Sequence, residues 1–134
     1  LVKLLRHMPA SVTVSASKKS SRECAAIKRY IDSRYKENIT LDTLASLTHM
    51  NKYYLVHVFH RENGISPISY LIRRRIRESK NLLKNTNHTL SQISQMLGFS
   101  SQSYFSQSFK KQENMSPNEY RKLAKKNLQS EEKP

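Results

Sequence analysis

Apolar residues along this chain recur every three or four positions, which is the spacing of one face of an α-helix. The clearest run lies between residues 68 and 85, where one helical face carries Ile68, Leu71, Ile72, Ile76, Ser79, Leu82 and Leu83. A shorter run follows a capping box of Ser20 and Glu23 and consists of Cys24, Ile27 and Ile31. The pattern predicts a first helix from Ser20 to Asn38 and a long helix in the middle of the chain.

The pattern between residues 40 and 121 occurs twice. At an offset of 49 residues, Leu41, Leu44, Leu47 and Met50 correspond to Leu90, Ile93, Met96 and Phe99. Beyond the next turn the offset is 50 residues, and there Tyr54, Phe59, Ser66-Pro67 and Tyr70 correspond to Tyr104, Phe109, Ser116-Pro117 and Tyr120. Each copy therefore predicts a short helix, a tight turn and a second helix, followed by the start of another helix.

Residues that begin and end helices stand at matching places in the two copies. Good N-cap residues precede the predicted helices: Thr40 and Asn51 in the first copy, and Thr89, Ser101 and Ser116 in the second. Pro67 and Pro117 occupy the first helical position, where a missing N–H costs nothing. Gly64 and Asn114 are the residue types that most readily adopt the left-handed conformation at a helix end.

Two copies of helix, turn and helix match the helix-turn-helix pattern, in which the second helix enters the major groove of DNA. One face of each second helix is apolar, with Leu55, Val58 and Phe59 in the first copy and Phe105 and Phe109 in the second. We also assign Tyr54 and Tyr104 to the cores. The opposite faces, which can bond to base edges, carry Tyr53, Val56, His57 and His60, and then Gln102, Ser103, Ser106, Gln107 and Lys110.

A series of short motifs runs in one order between Glu23 and Lys126. It comprises Tyr54-Leu55 with Phe59, Gly64-Ile65-Ser66-Pro67 with Tyr70, Arg75, Leu82-Leu83, Gly98-Phe99, Tyr104-Phe105 with Phe109, and Ser116-Pro117 with Tyr120-Arg121. This series resembles the DNA-binding domain of AraC-family transcription regulators. The resemblance implies an all-α fold of two helix-turn-helix subdomains joined by a long connecting helix, docked in adjacent major grooves. It also implies base contacts at Tyr53, Val56, His57, Gln102, Ser103, Ser106 and Gln107.

The chain departs from the family pattern in two places. The first turn has His49 where the family often has glycine, and the recognition helices carry His57 and Gln107 where it often has arginine. Histidine tolerates a positive φ better than most residues with a side chain. We therefore expect the turn to form, whereas the base preference does not transfer from the family.

The chain carries 24 lysines and arginines against 10 aspartates and glutamates, which gives a formal net charge of +14. Such a charge favours an anionic partner. The basic side chains cluster as phosphate binding requires, and the expected phosphate contacts are Lys52, His60, Arg61, Arg75, Lys110, Lys111 and Arg121. Arg75 has the support of the family pattern, and its alternative role is to brace the connecting helix against a subdomain.

The residue types present argue against several classes of function. No Gly-rich phosphate loop, no paired carboxylates and no nucleophile with an orienting histidine can be assembled, so we predict neither an enzyme nor a cofactor. His57 and His60 lack a third ligand at zinc-site spacing, so we predict no metal. The lone Cys24 is expected to be a small buried hydrophobe in a reducing cytoplasm. The longest apolar stretch is too short to span a membrane.

The predicted organisation follows the repeat. It is a linker from a missing upstream domain at 1–20, a first helix-turn-helix subdomain at 21–66, a connecting helix at 67–86, a second subdomain at 87–127 and a flexible tail at 128–134. We predict sequence-specific binding of double-stranded DNA by a transcription regulator, with RNA polymerase and an upstream effector or dimerisation domain as further partners. The alternative is a cationic amphipathic module that binds anionic membranes or nucleic acid non-specifically.

Overall fold

The structure is a computed structural model that describes residues 10–132, and the side chains of residues 18–129. The described residues form seven α-helices and no strands, which confirms the all-α prediction. The helices are α1 Ala10–Arg34, α2 Leu41–Thr48, α3 Lys52–Asn63, α4 Pro67–Asn85, α5 Leu90–Met96, α6 Gln102–Glu113 and α7 Pro117–Glu132. Helices α2 and α3 form the first helix-turn-helix, α5 and α6 form the second, and α4 connects them.

The N-caps that the sequence predicts are present in both copies. The Thr40 and Thr89 side chains accept hydrogen bonds from backbone N–H groups three residues ahead, at 3.2 and 3.1 Å, and each completes a capping box. Asn51 accepts from the N–H of Tyr53 at 2.9 Å, and Ser101 accepts from that of Tyr104 at 3.0 Å. These bonds satisfy donors that a helix start leaves without partners, so local sequence sets where these helices begin.

The C-caps are confirmed as well. Gly64 ends α3 at φ 76° and Asn114 ends α6 at φ 61°, both in the left-handed region. His49, which ends α2, has φ 56° and ψ 28°. The first turn therefore forms with histidine in place of glycine, as expected.

The first core packs α1, α2 and α3 against the first half of α4. Its buried residues are Cys24, Ile27, Ile31, Ile39, Leu44, Leu55, Val58, Phe59 and Leu71. Most of them are aliphatic, and the ring of Phe59 meets that of Tyr70 edge to face, with 5.9 Å between their centroids. Cys24 is 3% exposed, which confirms its assignment as a buried hydrophobe.

The second core packs α5 and α6 against the rest of α4 and against α7. Its buried residues are Ile76, Leu83, Ile93, Leu97, Phe99, Phe105 and Phe109. Four rings lie in succession, with centroid distances of 5.3, 6.1 and 5.6 Å along the order Phe99, Phe105, Phe109 and Tyr120. Leu71 lies in the first core and Ile76 in the second, so α4 belongs to both subdomains.

The ends of the chain differ from the predictions. Helix α1 begins at Ala10, so the expected linker forms helix from that residue onward, while residues 1–9 lie outside the described part. Ser20 is not an N-cap; it lies within α1 and is 5% exposed. The stretch from Ala10 to Arg34 contains neither glycine nor proline, so nothing in it breaks a helix. Helix α7 likewise continues to Glu132, into the expected flexible tail.

Two residues counted in the apolar repeat are not in the cores. Leu47 and Met96 occupy equivalent positions in α2 and α5, and they are 43% and 39% exposed. Helices of eight and seven residues make about two turns, and only one side of each meets a core. The two copies do correspond at this position, but the shared apolar residue lies on the surface and not in a core.

Candidate nucleic-acid interface

Helix α3 presents a continuous exposed face of groups that can form hydrogen bonds. Tyr53 is 77% exposed, and His57 lies one turn further along the same side. His60 and Arg61 extend the face toward the end of the helix, and both are exposed. Because Leu55, Val58 and Phe59 are buried behind them, the helix cannot rotate to hide this face.

Helix α6 presents the equivalent face with different chemistry. Its exposed side chains on this face are Gln102, Ser103, Gln107, Lys110 and Lys111. The buried rings of Phe105 and Phe109 hold the opposite side. The structure therefore brings together the predicted base-contacting amides and hydroxyl on one surface, with two lysines toward the end of the helix.

Two predicted base-contacting residues are half-buried and not fully exposed. Val56 packs against the first core, and Ser106 occupies the equivalent position in α6. Both stand at the edge of the exposed face and not at its centre. The sequence placed them by helical angle alone, which does not show how far the neighbouring core reaches around a helix.

Tyr54 and Tyr104 were wrongly assigned to the cores. They are 50% and 44% exposed, and each is the third residue of its recognition helix. The Tyr104 ring lies beside that of Phe99 at the edge of the second core, with 5.8 Å between centroids. A turn of about 100° per residue places each tyrosine on the flank between the buried and exposed faces. That angle could have identified them as additional surface residues.

Arg75 is 6% exposed, so its guanidinium is not available for the predicted phosphate contact. Its Nε donates to the Tyr35 carbonyl at 2.6 Å, and its Nη2 donates to the Glu37 carbonyl at 2.8 Å. Burial also lowers the pKa of this guanidinium from its ordinary value. The prediction of phosphate contact was wrong, and the alternative of bracing the connecting helix is confirmed.

Arg121 also has a role that the phosphate prediction missed. It is half-buried, and it donates to the carbonyls of Leu83 and Thr86 at 3.1 and 3.3 Å. The ammonium of Lys125 donates to the same Thr86 carbonyl at 3.0 Å. These carbonyls lie at the C-terminal end of α4, where the helix dipole attracts cations. Arg121 therefore holds α7 on α4 and does not project toward solvent.

Lys52 begins α3 and lies 3.6 Å from the Asp42 carboxylate. Both side chains are well exposed, and an ion pair of this kind stabilises a protein by less than about 1 kcal/mol. A phosphate could replace the carboxylate at little cost. Lys52 therefore remains suitable for the predicted phosphate contact.

The described residues contain no group of three or more histidine, cysteine, aspartate or glutamate side chains that could hold a metal ion. Among the helices of residues 10–132, none combines the length and apolar character needed to cross a membrane.

A model of the helix-turn-helix domain matches residues 44–123 of the chain, which is more than half of it. The C-terminal domain of AraT, a response regulator from Geobacillus stearothermophilus, superimposes with a TM-score of 0.71 at 30% identity, covering 75% of this chain and 84% of that domain. A probable AraC family transcriptional regulator from Rhodopseudomonas palustris gives a TM-score of 0.71 at 25% identity, covering 77% and 97%. The chain belongs to the AraC-type helix-turn-helix family. It is a sequence-specific DNA-binding domain of the kind found in transcription regulators.

Relatives of this AraC-type domain are longer proteins. The uncharacterized HTH-type transcriptional regulator YisR of Bacillus subtilis is 35% identical over 101 residues, which cover 75% of this chain and 35% of YisR. The bifunctional transcriptional activator/DNA repair enzyme AdaA of Bacillus subtilis is 30% identical over 99 residues, 74% of this chain and 47% of AdaA. The chain thus spans about a third to a half of these relatives. The absence of catalysis in it stays a prediction.

Proposed function

We propose that the domain binds two consecutive major-groove segments on one face of the duplex, with α3 in one segment and α6 in the other. The observation that carries this proposal is the pair of exposed polar faces on equivalent helices, joined by the single 19-residue helix α4. Recognition helices that bind one face of DNA contact sites about 10 base pairs apart. We therefore expect two half-sites separated by one helical turn.

In this proposal the central exposed residues of each recognition helix contact base edges. Tyr53 and His57 supply a hydroxyl and an imidazole in the first half-site. Gln102, Ser103 and Gln107 supply amides and a hydroxyl in the second, and a glutamine amide can bond to adenine through two hydrogen bonds. Val56 and Ser106 contribute at the edge of these contacts. Because the two sets differ chemically, the two half-sites are expected to have different sequences.

The proposed phosphate contacts are basic groups around these faces. They are Lys52, His60, Arg61, Lys110 and Lys111, and all five are exposed. Such contacts position a protein on the duplex and increase affinity, but they do not discriminate between sequences. Arg75 and Arg121 are not in this set, because their guanidinium groups are bound to backbone carbonyls.

A duplex partner fits the structure better than an anionic membrane. Membrane-surface helices place an apolar face in the lipid. In this domain the apolar faces of α3, α4 and α6 are buried in the two cores. The exposed face of α6 carries amides, a hydroxyl and lysines, which suit base edges and phosphates and not acyl chains.

For the whole protein, we propose that the domain places a regulator at a promoter in the cytoplasm, where RNA polymerase is a partner. The greater length of the relatives supports an additional effector or dimerisation domain in the complete protein.

Selection of bound duplexes from a random pool tests the proposed function. The expected result is a bipartite site, and inserting about 5 base pairs between its halves rotates one half to the opposite face and weakens binding. Gln107→Ala is expected to cost about 1–3 kcal/mol at the preferred site and to flatten discrimination at one base position.

The matched variant is Lys110→Ala, which removes a cation from the same helix one turn later. It is expected to weaken binding to all sequences equally and to reduce the slope of log affinity against log salt by about one. A uniform loss of affinity in Gln107→Ala, with an unchanged base profile, would show that this glutamine does not contact a base.

A further inference from the structure

The two subdomains also meet beside α4, at a contact that we call the junction. It consists of the turn after α1, one arginine of α4 and the turn before α6: Tyr35, Lys36, Glu37, Arg75, Gly98 and Phe99. Arg75 binds the carbonyls of Tyr35 and Glu37, and its guanidinium carbon lies 5.5 Å from the centroid of the Phe99 ring. One side chain of the connecting helix therefore touches both the first and the second subdomain.

Gly98 brings the backbones of the two subdomains into direct contact. It has φ 86°, and a Cβ atom built on it would lie 2.5 Å from the Lys36 carbonyl oxygen and 3.0 Å from Nη2 of Arg75. Atoms at 2.5 Å overlap, so a residue with a side chain cannot occupy this place without movement of the backbone. The turn of the second helix-turn-helix thus rests on the segment that follows α1.

The junction lies close to the start of a recognition helix. Gly98 stands four residues before Gln102, the first residue of the recognition helix α6. Helix α4 connects the two recognition helices along the chain, and a helix can bend along its length. With the junction, α6 is held relative to the first subdomain from two sides.

The chemistry at the junction favours a fixed geometry over stability. A buried charge carries a large desolvation cost, which hydrogen bonds only offset, and an apolar residue of similar volume is often no less stabilising. The planar fork of a guanidinium binds two acceptors in one orientation, which lysine cannot do. The two carbonyls belong to residues 40 and 38 positions before Arg75, so the fork joins distant parts of the chain.

We infer that Arg75 is a positioning residue that sets the separation and relative orientation of α3 and α6, and thereby the half-site spacing that the domain accepts. This inference rests on the proposed function, because it requires two recognition helices bound at once. Loss of the fork is expected to leave each half-site contact intact and to relax the spacing.

Lys125 offers a matched control, because it occupies the position equivalent to Arg75 at the 50-residue offset. Its ammonium donates to the Thr86 carbonyl and, at 2.6 Å, to Oδ1 of Asn87. Lys125 follows the second helix-turn-helix and binds the segment at the end of the helix before that unit. Arg75 does the same for the first helix-turn-helix. These contacts lie between α7 and the end of α4, so they do not join the two subdomains.

The experiment measures binding of the chain to duplexes that carry the selected half-sites at the selected spacing, at one base pair more or less, and singly. Wild type is expected to lose about tenfold in affinity on a one-base-pair change, the size of one lost base contact. Arg75→Gln is expected to reduce that loss to about threefold or less and to bind single half-sites like wild type. Lys125→Gln is expected to keep the wild-type spacing profile.

Each result bears on the inference. A folded Arg75→Gln variant with the wild-type spacing profile overturns it, as does a uniform loss of affinity at every spacing, because either shows a structural role only. Where circular dichroism shows that Arg75→Gln is unfolded, Arg75→Lys decides: a relaxed profile supports the inference and an unchanged one overturns it. If wild type itself ignores the spacing, the two-site function fails, and the inference fails with it.

Discussion

The two helix-turn-helix units share their helix order and caps but fill their cores differently. The first core is mostly aliphatic around Phe59, whereas the second contains the chain of rings that ends at Tyr120. Both give the same arrangement because each keeps apolar residues at helical spacing between equivalent caps. The comparison shows that pattern and caps define the unit, while the particular side chains define how it is packed.

The two turns differ for a reason that lies outside the units themselves. His49 and Gly98 are equivalent at the 49-residue offset, and both have positive φ, at 56° and 86°. His49 is exposed, so its side chain has room. Gly98 has no room, because the Lys36 carbonyl lies where its Cβ would be. Glycine is required only where the turn takes part in the junction.

The difference between the two cores predicts the largest changes in the free energy of unfolding. Phe59→Ala and Phe109→Ala each remove a fully buried ring, and each is expected to cost about 3–5 kcal/mol. The loss is expected to be larger for Phe109, which meets two rings at 6.1 and 5.6 Å, than for Phe59, which meets one. Urea denaturation measures the loss, and amide exchange shows where protection is lost. Uniform protection across both units in either variant would contradict the separation into two cores.

The difference between the two turns predicts the next largest change in stability. Gly98→Ala is expected to cost about 2–4 kcal/mol, because it combines a left-handed backbone with overlap at the Lys36 carbonyl. Gly64→Ala is the matched control: φ is 76° but no atom lies within 4 Å of the added Cβ, so only the backbone cost of about 1–2 kcal/mol is expected. Thermal unfolding compares the two variants. Equal losses would show that the junction does not crowd Gly98.

The comparison of the recognition helices predicts a smaller effect, on the base preference of one half-site. The exposed face of α3 carries His57, and α6 contains no histidine. His57→Ala is expected to flatten discrimination at one base position of the first half-site and to leave the second half-site unchanged, because the imidazole contacts base edges only in the first. Binding to duplexes with each of the four bases at every position measures the effect. An unchanged base profile in the first half-site would show that His57 does not contact a base.

The smallest effect concerns the thiol of the first core, which has no counterpart in the second. Burial, followed by the hydrogen bond with Glu62, raises the pKa of Cys24 to about 12. The folded chain therefore keeps a proton that the unfolded chain releases above about pH 9. The contribution of this thiol to the free energy of unfolding is complete below that pH and falls as pH rises toward 12. The difference in unfolding free energy between wild type and Cys24→Ala measures it. A difference that grows with alkaline pH would contradict the assignment.

Local signals made much of this fold predictable from the sequence. The connecting helix was expected at 67–86 and occupies Pro67–Asn85, because Ser66 caps it and Pro67 begins it. The repeat located both recognition helices and most of their exposed faces. The errors occurred where local signals are weak or are overridden. The capping box at Ser20 lies inside a longer helix, and Tyr54 and Tyr104 lie on helix flanks that a binary pattern does not describe.

What the sequence by itself determined is the set of helices, their caps and their buried faces, since these depend on residues within a few positions of one another. Only the tertiary structure decided which cations remain free to bind phosphate. Arg75 and Arg121 look like surface arginines in the sequence, yet they bind carbonyls 35 to 40 residues away. Backbone carbonyls at helix ends attract cations wherever the fold places them, and no local pattern specifies which cation reaches them.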